Sequence, residues 1–160
     1  MEENIITLSK KDLIRLRIKT DDGKDTGEYL EFDLEDIELP LRYQELLEKD
    51  KKNKDWLQKE FIIIDKRQDV KGKKLLTKNQ EDKIKALNKF FEEEVEIYNM
   101  FLGPDGVKKL LNGRKLGWTT LQEIDDIINT QILPYVKKAA EAMQKRIIQK
   151  YSQENKEVMQ

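Results

Sequence analysis

Two long runs with apolar residues at three-to-four spacing meet at Phe101–Trp118, FLGPDGVKKLLNGRKLGW, and this junction constrains the fold more than any other feature. It holds four of the seven glycines and one of the three prolines, so one uninterrupted helix cannot pass through it. Gly103 and Pro104 mark the end of one helix: glycine accepts the left-handed backbone of a cap, and proline cannot continue the ladder. Gly113 repeats the stop after a short amphipathic turn set by Val107, Leu110 and Leu111. The stretch reads as a corner that redirects two long helices. Two readings of it stay open: a corner only, because glycine usually solves a backbone problem first, or a corner that also presents a surface.

Upstream, Thr77 and Gln80 have the spacing of a capping box, a hydroxyl and an amide that satisfy the first free N–H groups of a helix. Ile84, Leu87, Phe91, Val95, Tyr98 and Phe101/Leu102 then hold helical spacing and predict the core stripe of that helix. Downstream, Trp118-Thr119-Thr120 opens the last helix, with a second capping box from Thr120 and Glu123 or from Thr119 and Gln122. Its stripe runs through Leu121, Ile124, Ile128, Ile132, Tyr135, Ala139, Met143, Ile147 and Tyr151. Pro134 lies inside it, where its ring would meet the carbonyl of Thr130, so a kink is expected near residues 130–134. The polar residues 153–160 read as a frayed tail.

The front of the chain has a different period. Ile14, Leu16 and Ile18 alternate with Arg15, Arg17 and Lys19; after DDGKDTG, Leu30, Phe32 and Leu34 alternate with Glu31 and Asp33. This is an antiparallel hairpin over residues 12–36 with a basic wet face on one strand and an acidic one on the other. A lone hairpin is marginal in water, so its apolar face must rest on the helices, on further strands or on a second copy. Before it, Ile5, Ile6 and Leu8 are available to pair or pack. Pro40 suits a helix start, and Leu41, Leu46 and Leu47 begin a stripe that Trp56, Leu57, Phe61 and Ile64 resume. Between them KDKKNKD lacks any apolar residue, so the helix either projects into solvent or breaks in two. The run FIII at 61–64 is read as helix in preference to a buried strand. The expected fold is α+β: one domain over 1–160, with the hairpin packed on a helical body of three to five helices spanning 40–152.

Composition narrows the chemistry. Lys+Arg is 31 against Asp+Glu 32, which gives no global field for nucleic acid or an acidic membrane. Histidine and cysteine are both absent, which removes thiolate chemistry, the commonest metal ligand and the commonest general base. No apolar run approaches the roughly 20 residues of a membrane span, and a soluble, cytoplasmic protein is expected. Glu92-Glu93-Glu94 reads as a solvated helix face. Asp125 and Asp126 diverge around a helix and make a poor metal pair. GPDG lacks the Lys-Ser/Thr ending of a phosphate loop, and the lysine run at 49–54 lacks interleaved aromatics for nucleic acid. The chain is therefore read as non-enzymatic, with no catalytic, cofactor or metal residues. A lean core, 38% hydrophobic against 39% charged, also predicts a homo-oligomer that shares an apolar stripe.

The order of motifs resembles the tail assembly chaperones of siphophages and prophages of Gram-positive bacteria. In that family a helix ends in Leu-Gly, a short helix ends in a phrase like Phe/Leu-x-Gly-Arg/Lys, and a C-terminal helix follows. The matching positions are Leu102-Gly103, Leu111-Asn112-Gly113-Arg114 and the helix opened by Thr119-Thr120; the acidic strand TGEYLEFDLEDIELP is similar as well. The resemblance implies a small helical chaperone that coats the tape measure protein in the host cytoplasm and helps recruit tail tube protein. Arg114, Lys115, Leu116 and Trp118 are the residues expected to meet such a partner, with Trp118 as anchor. Another phage structural or virion assembly component is the alternative, and a nucleic-acid-associated regulator is disfavoured by charge.

Overall fold

The structure, a computed structural model, describes residues 2–8 and 13–152. The tail at 153–160 lies outside them. Residues 2–8 form no regular element, and Ile5, Ile6 and Leu8 are exposed without packing on the body. Strands β1 (Leu13–Lys19) and β2 (Asp25–Asp33) pair antiparallel, with Ile14 opposite Phe32, Arg15 opposite Glu31 and Leu16 opposite Leu30. The complementary wet faces meet as expected: Arg15 and Glu31 lie 3.4 Å apart, as do Arg17 and Asp25. Both pairs are exposed and set register more than stability. Leu30 and Phe32 are buried, and the Phe32 ring lies 5.7 Å from that of Phe101. The hairpin rests on the chain's own helices.

Helix α1 (Leu39–Asp65) is one continuous helix through the lysine-rich run. The run neither breaks it nor projects into solvent all round, because its inward positions, Asp50 and Asn53, continue the stripe of Leu46, Leu57 and Ile64 with polar residues. Residues 61–64 are helical as read. Helix α2 (Lys78–Leu102) begins with the expected capping box, Gln80 N–H on Thr77 Oγ1 at 3.2 Å and Thr77 N–H on Gln80 Oε1 at 2.9 Å. Asn79 bonds back to the carbonyl of Ile64 and so covers the end of α1. The pair is antiparallel: Tyr43 meets Phe101, Asn53 meets Phe90 and Glu94, and Lys83 meets Asp65.

The corner is built as its glycines demand. Gly103 (φ 97°) ends α2, the six-residue α3 (Gly106–Leu111) buries Val107, Leu110 and Leu111, and Asn112 and Gly113 both take positive φ after it. Asn99 Oδ1 accepts the Val107 N–H at 2.9 Å and pins α3 to α2. Next come α4 (Trp118–Ile127), a π-helical turn (Ile128–Ile132), α5 (Leu133–Met143) and a second π turn (Gln144–Ile148). The first π turn is how the chain accommodates Pro134: the Leu133 N–H reaches five residues back to Ile128, and the wider turn makes room for the ring. Beyond it, Val136 is buried where Tyr135 was expected and Tyr135 faces out, while Ala139 is buried as expected.

The α+β architecture, a hairpin on a mostly helical body, is thus the observed one. No helix among the described residues is long and apolar enough to cross a membrane.

Candidate functional site

The corner residues separate into two groups. Arg114 stays exposed but folds back on its own chain: its Nε donates to the carbonyl of Leu111 at 3.0 Å, Nη2 reaches that of Leu110, and Nη1 pairs with Glu123 at 2.7 Å. It closes the C-terminus of α3 and ties that end to α4, where a cation complements the exposed carbonyls. The carboxylate expected from a partner is supplied by the chain itself. Lys115 is exposed, and its carbonyl accepts from Thr120 Oγ1. Leu116 is half-buried against the core.

Trp118 is the first residue of α4, inside the helix and not ahead of its cap. Neither expected capping box forms at this end. Gly117 is the cap, and Thr120 reaches back instead, accepting the Gly117 N–H at 2.7 Å. The Trp118 ring lies over Phe90 and Phe91, with centroids 5.3 Å and 5.2 Å away, yet 54% of the residue remains exposed. Phe90 below it is fully buried. An aromatic stack with a wet outer ring therefore stands at the α2–α4 contact.

The α2 stripe is also rotated from expectation. Its buried residues are Ala86, Phe90, Glu94, Ile97, Tyr98, Phe101 and Leu102. Ile84 is exposed, and Leu87, Phe91 and Val95 are only half-buried. The first half of the expected core stripe is therefore a partly open apolar face, continuous at Phe91 with Trp118. The reason is that α1, α4 and the hairpin pack on the 90–94–97–101 line, while nothing among the described residues fully covers the 84–87–91–95 line.

Glu94 overturns a second expectation. The third glutamate of the run is not solvated but wholly buried. Asn53 Nδ2 donates to Glu94 Oε1 at 2.9 Å and to the Phe90 carbonyl at 3.0 Å. Glu94 Oε2 and Asp50 Oδ1 are buried without a donor. The two carboxyl groups face each other, so a single proton between them satisfies both. Burial first, then the contact with Asp50, pushes the Glu94 carboxyl up to about 8. Lys54 reaches Asp50 at 2.8 Å; burial works against its charge, but the Asp50 contact outweighs this and raises it. From α2 and α4, Tyr98 Oη donates to Asp125; burial raises Asp125 and outweighs the opposing hydrogen bond, and burial also raises Tyr98. Asp126, next to it, turns away to Gln122.

This polar node joins α1, α2 and α4 inside the body, and the linear sequence carries a trace of it. Positions 46, 50, 53 and 57, and 90, 94, 97 and 101, are each one helical line. A reading confined to apolar residues skips their polar members. Among the described residues, no group of three or more acidic side chains is placed to hold a metal ion.

No family model, curated protein or solved structure matches the chain.

Proposed function

We propose that this chain is a non-enzymatic tail assembly chaperone that holds helical segments of a tape measure protein in the host cytoplasm and helps recruit tail tube protein. The resemblance at Leu102-Gly103 and Leu111-Asn112-Gly113-Arg114 suggests the role. The observation that carries it is the half-exposed Trp118 on the Phe90–Phe91 stack, continuous with the partly open 84–87–91–95 line of α2. Large aromatic anchors on an otherwise charged surface are what a binder of apolar helices needs. Of the two cations beside Trp118, Lys115 makes no ion pair among the described residues, whereas Arg114 serves α3 and Glu123.

The test separates binding from folding. Trp118→Ala should abolish capture of a co-expressed tape measure fragment, measured by pull-down, and lower Tm by only about 5–8 °C. More than half of the residue is already solvent-exposed, so truncation should cost about 2 kcal/mol. Undiminished capture would remove the anchor role. The same open line is the surface we expect to be shared in a homo-oligomer. Light scattering that gives a monomer mass across a wide concentration range would exclude that sharing.

A further inference from the structure

Away from the corner, a groove of about 570 Å3 runs between α1 and α2. Its floor is apolar, formed by Trp56, Ile97 and Met100, with Asn53 of the polar node at its base. The banks differ in sign: Lys49 and Lys52 line the α1 side, Glu93 and Glu96 the α2 side. In an antiparallel helix pair, such residues ordinarily meet as interhelical ion pairs. Here they do not. Lys49 pairs with Glu45 on its own helix and touches Met100 Sδ, while Lys52, Glu93 and Glu96 make no ion pair among the described residues. Lys89 lies 5.0 Å from the Trp56 ring centroid and holds that ring at the end of the groove.

An apolar floor between a cationic and an anionic bank is complementary to one kind of ligand. We propose that this groove seats a single amphipathic helix of a partner protein, with its acidic flank against Lys49 and Lys52 and its basic flank against Glu93 and Glu96. The geometry also fixes the direction of that helix. Turning a helix end for end on the same apolar face exchanges its flanks, which would set like charges together on both banks. From residue 49 to 56 the groove is about 10 Å long, or roughly two helical turns. Each seat is therefore weak alone and suits a long helix held by several copies. The inference deepens the reading of the chain as a holder of helical partners and rests on it for the partner's identity.

The probe is a synthetic helix of about three heptads, with leucines on its apolar face, glutamates along one flank and lysines along the other. Fluorescence anisotropy with the full chain should show saturable binding, and a control peptide with lysine on both flanks should bind about tenfold more weakly. Lys49→Glu with Lys52→Glu should weaken binding of the mixed-flank peptide about tenfold, as should Glu93→Lys with Glu96→Lys. All four substitutions together should restore binding with the peptide reversed, seen by NMR line broadening from a spin label on one peptide end. Tm of each variant should stay near that of the parent, since these side chains are exposed. No binding by the parent, or binding indifferent to both charge reversals, overturns the proposal. Tape measure capture indifferent to both reversals moves that partner off the groove and leaves the chaperone reading standing. Charge-dependent peptide binding without any tape measure capture does the reverse.

Discussion

Gly106 shows how one missing carbon sets the corner. A Cβ built there would lie 2.5 Å from the Cβ of Leu102, the last residue of α2, which is itself buried. Neither atom can swing aside, because both are fixed to helical backbone, so α3 can start this close to α2 only with glycine. Gly106→Ala should destabilise the fold by about 1–3 kcal/mol, read as a lower urea midpoint. Gly72→Ala serves as a control, because no atom lies within 4 Å of its added Cβ and its φ is not positive. Its midpoint should shift by no more than about 0.5 kcal/mol. A Gly106→Ala midpoint no lower than that of Gly72→Ala would mean that the approach of α3 to α2 does not require glycine at Gly106.

At the scale of elements, the α1–α2 pair is held by packing with one polar interruption. Asn53 is its hinge: its single amide group serves both Glu94 and the Phe90 carbonyl. Asn53→Ala strands Glu94 Oε1 and removes the side-chain donor to the Phe90 carbonyl, and should cost about 2 kcal/mol of unfolding free energy by denaturant titration. Much of this level was legible beforehand. The hairpin, its register charges, the Thr77 box and the stops at Gly103 and Gly113 all follow from local chemistry, which one segment states alone. Three features follow only from what packs on what. The rotation of the α2 stripe depends on which side α1 and α4 occupy, and apolar residues at 84, 87, 91 and 95 satisfy the helical period as well as 90, 94, 97 and 101 do. The π turn at Pro134 is one of several ways to accommodate a proline. The partner of Arg114 is set by the nearness of Glu123, which the corner itself creates. Of the four corner residues, Trp118 was legible as a large apolar group beside glycines, whereas the groove needs two helices side by side before its banks exist.

Taken whole, the molecule is an unusually quiet background for one buried acid. With no histidine and no cysteine, nothing but the α-amino group ordinarily titrates between about pH 6 and 8. Glu94 does, because burial and then the contact with Asp50 lift it from 4.5 to about 8, against the opposing pull of Asn53 and Lys54. Between those two values the folded chain holds a proton that the unfolded chain has released, so stability falls as pH rises. The loss is up to about 1.4 kcal/mol per pH unit for one group, and its full stabilisation is present only below the lower value. Asp125, also raised by burial, acts in the same direction from 3.8 upward. Asp36 acts oppositely: Arg42 and the Glu38 N–H hold it below 3.8, so its contribution exists above that value and is lost as the pH falls further. The stability maximum should therefore be acidic, at about pH 4–5, with Tm declining steadily toward pH 8. Glu94→Gln keeps the shape of the acid, can donate to Asp50 Oδ1 and still accepts from Asn53, but has no proton to lose. Its Tm should match the parent near pH 5, stay nearly flat to pH 8 and exceed the parent there. A parent whose Tm rises from pH 5 to 8 would mean that Glu94 is ionised in the fold and that Asp50 and Glu94 share no proton.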